Sequence, residues 1–176
     1  MDAFKPFVWI FIGSALAVPI LAGGSTKTIP PVQSFDLNRY LGTWYEIARL
    51  PHRFEKDLVN VTATYTLRPD GAVQVLNRGY KTAKGKWSEA RGKAWVPDPD
   101  VPARLKVRFF WPFSAEYKII RLDPDYRWAV VTSGTRDYLW ILSRTPVLDE
   151  GVVQSLLQFV RDNGFDTGKL ILVPQE

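Results

Sequence analysis

Few side chains in this 176-residue sequence could support chemistry, and their spacing supports little of it. The single histidine, His52, sits in a charged stretch with Glu55 and Asp57 that reads as an exposed loop. A hydrolase needs a nucleophile beside a base, and no serine here has the Gly-x-Ser-x-Gly setting of a nucleophile elbow. Cysteine is absent, which excludes a disulfide framework, a thiolate metal site and a thiol nucleophile. One histidine without clustered carboxylates offers no metal-ligand pattern. The expectation is therefore a protein that is not an enzyme, with no catalytic residues, no metal and no cofactor.

The remaining chemistry is charge and apolar surface. The formal charge of +5 is scattered singly among apolar residues, so a nucleic-acid footprint is not expected, whereas weak attraction to an anionic membrane surface is. Apolar residues make up 46% of the chain and aromatic residues 14%, enough for one core with a wide aromatic inner surface.

The elements that would carry that surface are strands. A first strand starts at Gly42-Thr43-Trp44 and stops before Pro51. Alternation with a period of two then recurs seven times, broken by turns such as Arg68-Pro69-Asp70-Gly71 and Asp123-Pro124-Asp125-Tyr126. This predicts an all-β fold, an eight-stranded antiparallel up-and-down β-barrel, whose interior at that size can hold one small ligand. The inward residues by alternation are Val61, Ala63 and Tyr65; Val75; Ala94; Val107 and Phe109; Tyr117 and Ile119; Trp128 and Val130; and Tyr138 and Trp140. Small residues at Ala63, Gly92 and Ala94 leave room for a ligand. After the barrel, Val152, Val153, Leu156, Leu157 and Val160 fall at helical spacing before Asn163-Gly164, predicting a helix on the barrel wall. Leu170 to Val173 reads as a short ninth strand beside the first.

Ahead of the barrel, Phe7 to Leu21 is an apolar run too short for a membrane span, with Lys5 before it and small residues after it. Residues 1–24 are read as an export signal, 25–34 as a linker, and 35–176 as the barrel domain with a helical turn at its start and the helix near its end. Leu21-Ala22-Gly23-Gly24 has the form of a lipoprotein box in which Gly24 stands where the lipid-bearing cysteine would be, so a thioether to lipid cannot form there.

Gly42-x-Trp44 opening the first strand, Asp123-x-Asp125-Tyr126 in a late turn and Arg144 ending the eighth strand resemble the three signatures of lipocalins. More narrowly, the stretches 42–49, 60–65 and 136–146 resemble the bacterial outer-membrane lipoprotein branch, kin of apolipoprotein D. The resemblance covers residues 34–175. It implies carriage or storage of a small hydrophobic molecule, for this branch a fatty acid or lysophospholipid, in the periplasm or at the outer membrane. It also implies that Gly42, Trp44, Asp125, Tyr126 and Arg144 are structural and share the closed end.

The mouth then belongs to the loops around 51–59, 80–87, 110–116 and 133–137. Arg53, Lys81, Lys84, Lys86 and Arg136 in these loops are candidates for an anionic headgroup. Two other readings stay open: a haem or tetrapyrrole carrier using His52, and an envelope interaction module whose exposed Phe110, Trp111 and Phe113 touch a membrane or partner. Oligomeric state is not readable.

Overall fold

The structure is a computed structural model that describes residues 24–52 and 55–175; the export-signal reading for residues up to 23 and the headgroup candidate Arg53 lie outside the described residues. Eight strands close the barrel: β1 (Gly42–Arg49), β2 (Leu58–Leu67), β3 (Val73–Lys81), β4 (Lys86–Trp95), β5 (Arg104–Arg108), β6 (Ala115–Leu122), β7 (Trp128–Thr132) and β8 (Leu139–Ser143). Each pairs antiparallel with the next, and β1 pairs with both β8 and β2, leaving no open end to the sheet order. Closure removes the exposed edges that an open sheet would offer to other chains.

Two joints of the barrel are short. β1 and β2 pair only from Gly42↔Tyr65 to Tyr45↔Thr62. Beyond that point β9 (Ile171–Leu172) takes the place beside β1, and the Gln175 amide donates to the carbonyls of Glu46 (2.7 Å) and Val61 (3.0 Å), bridging the gap. β4 meets β5 only at Lys93, Ala94 and Trp95, so its earlier half rises beyond the end of β5. There Gly92 leaves space for Phe109: a Cβ at that position would stand 2.9 Å from the ring.

One turn of helix, α1 (Leu37–Tyr40), precedes β1 and is capped by Asp36, whose side chain accepts from the Asn38 N–H at 2.8 Å. It delivers Phe35, Tyr40 and Leu41 to the barrel floor. On the outside lies α2 (Glu150–Asp162), with Asp149 as its N-cap, an acidic first turn and Arg161 in its last turn, an order that suits the helix dipole. Its apolar stripe buries Leu156 and Val160 against Ile120, Val130, Leu139 and Ile141 of the barrel wall.

Residues 25–34, expected as a linker, are docked on the barrel. Thr26 is fully buried, its N–H reaching the Gly134 carbonyl (3.2 Å) and its hydroxyl the Ser133 carbonyl (2.6 Å), while Lys118 Nζ donates to the Thr26 carbonyl at 2.7 Å. Val32 follows with a bond from its N–H to the Ile119 carbonyl at 2.9 Å.

Candidate ligand cavity

The barrel has two unlike halves, and the lower one is solid. Arg144, at the end of β8, lays its guanidinium 3.9 Å over the Trp44 ring, an arrangement worth about 0.5–2 kcal/mol. Its nitrogens donate to the carbonyls of Arg39 (2.7 Å), Thr43 (3.0 Å) and Tyr126 (3.4 Å), tying α1, β1 and the β6–β7 turn into one knot. Gly42 makes this approach feasible: its φ is +93°, and a Cβ there would stand 3.3 Å from Arg144 Nη1. Tyr126 is buried in the same knot, taking the Asp36 N–H on its hydroxyl at 2.7 Å. Asp125, expected beside it as a structural signature, is instead exposed. The carboxylate that shapes the turn is Asp123, which accepts from the Asp125 N–H (3.1 Å), the Arg127 N–H (3.2 Å) and the Arg127 guanidinium (2.8 and 2.9 Å). Those Arg127 bonds hold the Asp123 carboxyl below its ordinary value despite burial.

Above this knot three phenols share hydrogens, Tyr40 with Tyr117 at 2.7 Å and Tyr65 with Tyr117 at 2.9 Å. Burial, first of all, pushes all three well above their ordinary values, so they remain neutral hydroxyls at any physiological pH.

The upper half encloses a cavity of about 520 Å³, within the range of small-molecule sites. Of the residues expected on its wall, Val61, Val107, Phe109, Tyr117, Tyr138 and Trp140 stand there. Ala63, Tyr65, Val75, Ala94 and Ile119 also face inward but belong to the packed core below. Trp128 and Val130 do not face inward at all. They lie in the outer cluster under α2, and Ala129 and Val131 of the same strand face the core instead. The cause is that β7 is covered on both sides, so both of its faces are apolar and alternation cannot show which one is inside.

The wall also includes residues outside the expected lining: His52, Glu55, Leu58, Asn77, Arg78, Gly79, Ser88, Ala90 and Phe113 among them. Ser88 and Ala90 come from the part of β4 that rises beyond β5, so Phe113 and Ser114 of the β5–β6 loop complete the wall there.

His52 is not the surface residue its charged neighbours suggested. Its side chain is only 6% exposed and belongs to a buried polar cluster built on the inward side of β1 and the loop after it. Arg49 donates to the Glu46 carboxylate (2.7 Å) and to the Glu55 backbone carbonyl (2.7 Å). The Glu55 side chain takes the Trp140 indole N–H at 3.2 Å and lies 2.9 Å from His52 Nε2. The His52 ring in turn packs 5.4 Å from that of Trp140 and 5.7 Å from that of Tyr138. Burial followed by the nearby Glu55 charge pushes the Glu46 carboxyl well up. Burial would raise Glu55 too, but His52, Arg49 and Trp140 outweigh it and hold Glu55 below its ordinary value. Within one buried cluster, then, the surroundings push the two carboxyls in opposite directions. Parity offered one signal for it, since Glu46 shares the inward side of β1 with Trp44.

The basic residues expected at the mouth divide. Arg136 faces away from the cavity: its guanidinium donates to the carbonyls of Ser25 and of Asn163 (2.8 Å) and lies 6.0 Å from the Phe165 ring, clamping the N-terminal segment to the end of α2. Lys81 and Lys86 are cross-strand partners on the side of the β3–β4 hairpin that carries Asn77 and Ala90 lower down, and Lys84 lies in the turn between them. None of the three is on the cavity wall itself. At the same end Trp111 is 81% exposed, and Phe113, though on the wall, is 63% exposed.

A lipocalin-like domain model matches residues 35–175, the whole barrel with its helix. The outer membrane lipoprotein Blc of Escherichia coli K12 is 47% identical over 168 residues, covering 93% of this chain and 95% of that one. Bovine apolipoprotein D is 36% identical over 155 residues, covering 83% and 80%. Among solved structures, lobster apocrustacyanin A1 superposes with a TM-score of 0.65 at 19% identity, over 84% of this chain and 91% of that one, a likeness of fold. With the Trp44–Arg144 knot, the closed eight-stranded sheet and the outer helix all in place, the chain belongs to the lipocalin family, whose members bind small hydrophobic ligands.

Proposed function

We propose that the protein carries or stores a fatty acid or lysophospholipid in the bacterial envelope. The observation that carries this reading is the cavity of about 520 Å³ above a sealed floor, walled mostly by apolar and aromatic side chains. Each methylene buried in such a space contributes about 0.8 kcal/mol, so an acyl chain gains affinity without directional contacts. Val61, Val107, Phe109, Tyr117, Tyr138 and Trp140 would contact the chain. Lys81, Lys84 and Lys86 at the rim would meet a carboxylate or phosphate, and the exposed Trp111 and Phe113 would touch the membrane from which the lipid comes. The outer-membrane lipoprotein Blc supports an envelope location, although Gly24 stands in place of a lipid-bearing cysteine. His52 does not favour haem, because its Nε2 is engaged by Glu55 and its ring is packed against two aromatic side chains.

Native mass spectrometry of the protein purified from cells, followed by lipid extraction, tests the reading. A retained fatty acid or lysophospholipid is the expected result. An empty protein whose tryptophan fluorescence ignores added oleate and lysophosphatidylcholine would overturn it. Replacing Lys81, Lys84 and Lys86 by Glu should weaken oleate more than its methyl ester; equal losses would remove the lysines from the headgroup role.

A further inference from the structure

The cavity wall contains one amide whose immediate neighbours on its face of the sheet are apolar. Asn77 lies midway along β3, on the side that faces the cavity. Its same-face neighbours on the strand are Val75 and Gly79, and its cross-strand partners are Ala63 on β2 and Ala90 on β4. None of these four has a polar side-chain atom. Asn77 Oδ1 is buried and accepts no hydrogen bond among the described residues. By contrast, the phenols of Tyr40, Tyr65 and Tyr117 bond one another, and Arg49 bonds the Glu46 carboxylate and the Glu55 carbonyl.

An unmatched buried acceptor destabilises the fold, a cost that leucine at the same position would avoid. A ligand group able to donate a hydrogen bond would recover that cost. A neutral group suits this place, because Ala63, Val75, Gly79 and Ala90 beside the amide offer a charge no compensation. A hydroxyl meets both conditions, since it donates to Oδ1 and can also accept from the amide nitrogen, whereas a keto or ester oxygen only accepts.

Resting on the carrier reading above, we propose that Asn77 is a binding site for a hydroxyl on the ligand's hydrocarbon chain, so that the cavity selects hydroxylated acyl chains over plain ones. The charged end of such a lipid stays at the rim, and the chain hydroxyl below it meets the amide. Affinity then depends on where along the chain the hydroxyl lies, and Asn77 sets specificity rather than adding general apolar contact.

The test is a fluorescence titration of the delipidated protein and of Asn77→Leu with stearate, 10-hydroxystearate and 12-hydroxystearate. The wild-type protein should bind the better-placed hydroxystearate about fivefold more tightly than stearate, the yield of one added hydrogen bond. In Asn77→Leu that preference should vanish and stearate should bind at least as tightly as before. Asn77→Ala, which removes the amide without adding bulk, should also lose the preference. Equal affinities in the wild type, or a preference that survives both substitutions, would overturn the assignment of Asn77 and leave the carrier reading standing. Binding of none of the three lipids would overturn both.

Discussion

The two halves of the barrel interior are built from similar residues and use them oppositely. In the lower half, Arg144 meets three carbonyls and an indole face, the Trp44 N–H finds the Tyr40 carbonyl at 2.8 Å, and three phenols bond one another. In the upper half a cavity remains, an amide oxygen is unmatched, and two large aromatic side chains project to solvent. Polar groups below are bonded to one another, whereas above them Glu55 and Trp140 are bonded on the same wall on which Asn77 Oδ1 accepts no hydrogen bond among the described residues. A barrel of this size can be stable because one half is saturated, and can bind because the other is not.

Substitutions should separate these roles. The largest effect is expected from Trp44→Ala, which empties a fully buried site and should cost about 3–5 kcal/mol in urea unfolding. Ligand affinity of the folded fraction should change little; a loss of affinity without a loss of stability would blur the division. Arg144→Lys keeps the charge but cannot span three carbonyls, and should cost about 2 kcal/mol by the same measurement. In the upper half, Ala90→Trp places bulk in the cavity and should reduce lipid affinity at least tenfold, about 1.4 kcal/mol, with the unfolding midpoint nearly unchanged.

The smallest effects are in pH dependence, where the halves should have opposite signs. The lowered Asp123 carboxyl gives stability that is present above its ordinary value, 3.8, and lost as pH falls below it, so Asp123→Asn should flatten the acid side of a melting-temperature profile. The raised Glu46 carboxyl gives stability that is present below its ordinary value, 4.5, and lost as pH rises through the folded value, so Glu46→Gln should gain on the wild type as pH increases. Profiles that shift in the same direction would show that one of the two carboxyls is not displaced as stated.

Legibility followed the same division. The closed sheet and the outer helix were readable from alternation, turn residues and spacing, and the shared closed end of Trp44 and Arg144 from the lipocalin resemblance. Strand faces were readable wherever one side meets water, as at Leu105 and Val107 on β5. They were not readable on β7, where α2 removes the contrast between faces, nor past the register shift at Ile119 to Arg121, beyond which Leu122 packs against the inner core. The buried cluster around Arg49 escaped because charged residues are rarely buried unless paired, and a pair formed through a loop leaves no periodic trace. Arg136 looked like a headgroup ligand because its loop lies at the mouth. Its clamp on Ser25 and Asn163 depends on two segments far away in the chain.

That clamp has a mechanical consequence. Ser25 forms a β-bridge with Thr135, and the Gly24 carbonyl accepts the Arg136 N–H at 3.0 Å, so the chain joins the barrel at the rim that Ser133, Gly134 and Thr135 help to form. A pull applied through Gly24 is therefore borne by the rim and passed by Arg136 to the end of α2, while the Arg144 knot at the opposite pole carries none of it. The chain ahead of Gly24 thus joins the barrel at the mouth end, the end opposite the sealed pole.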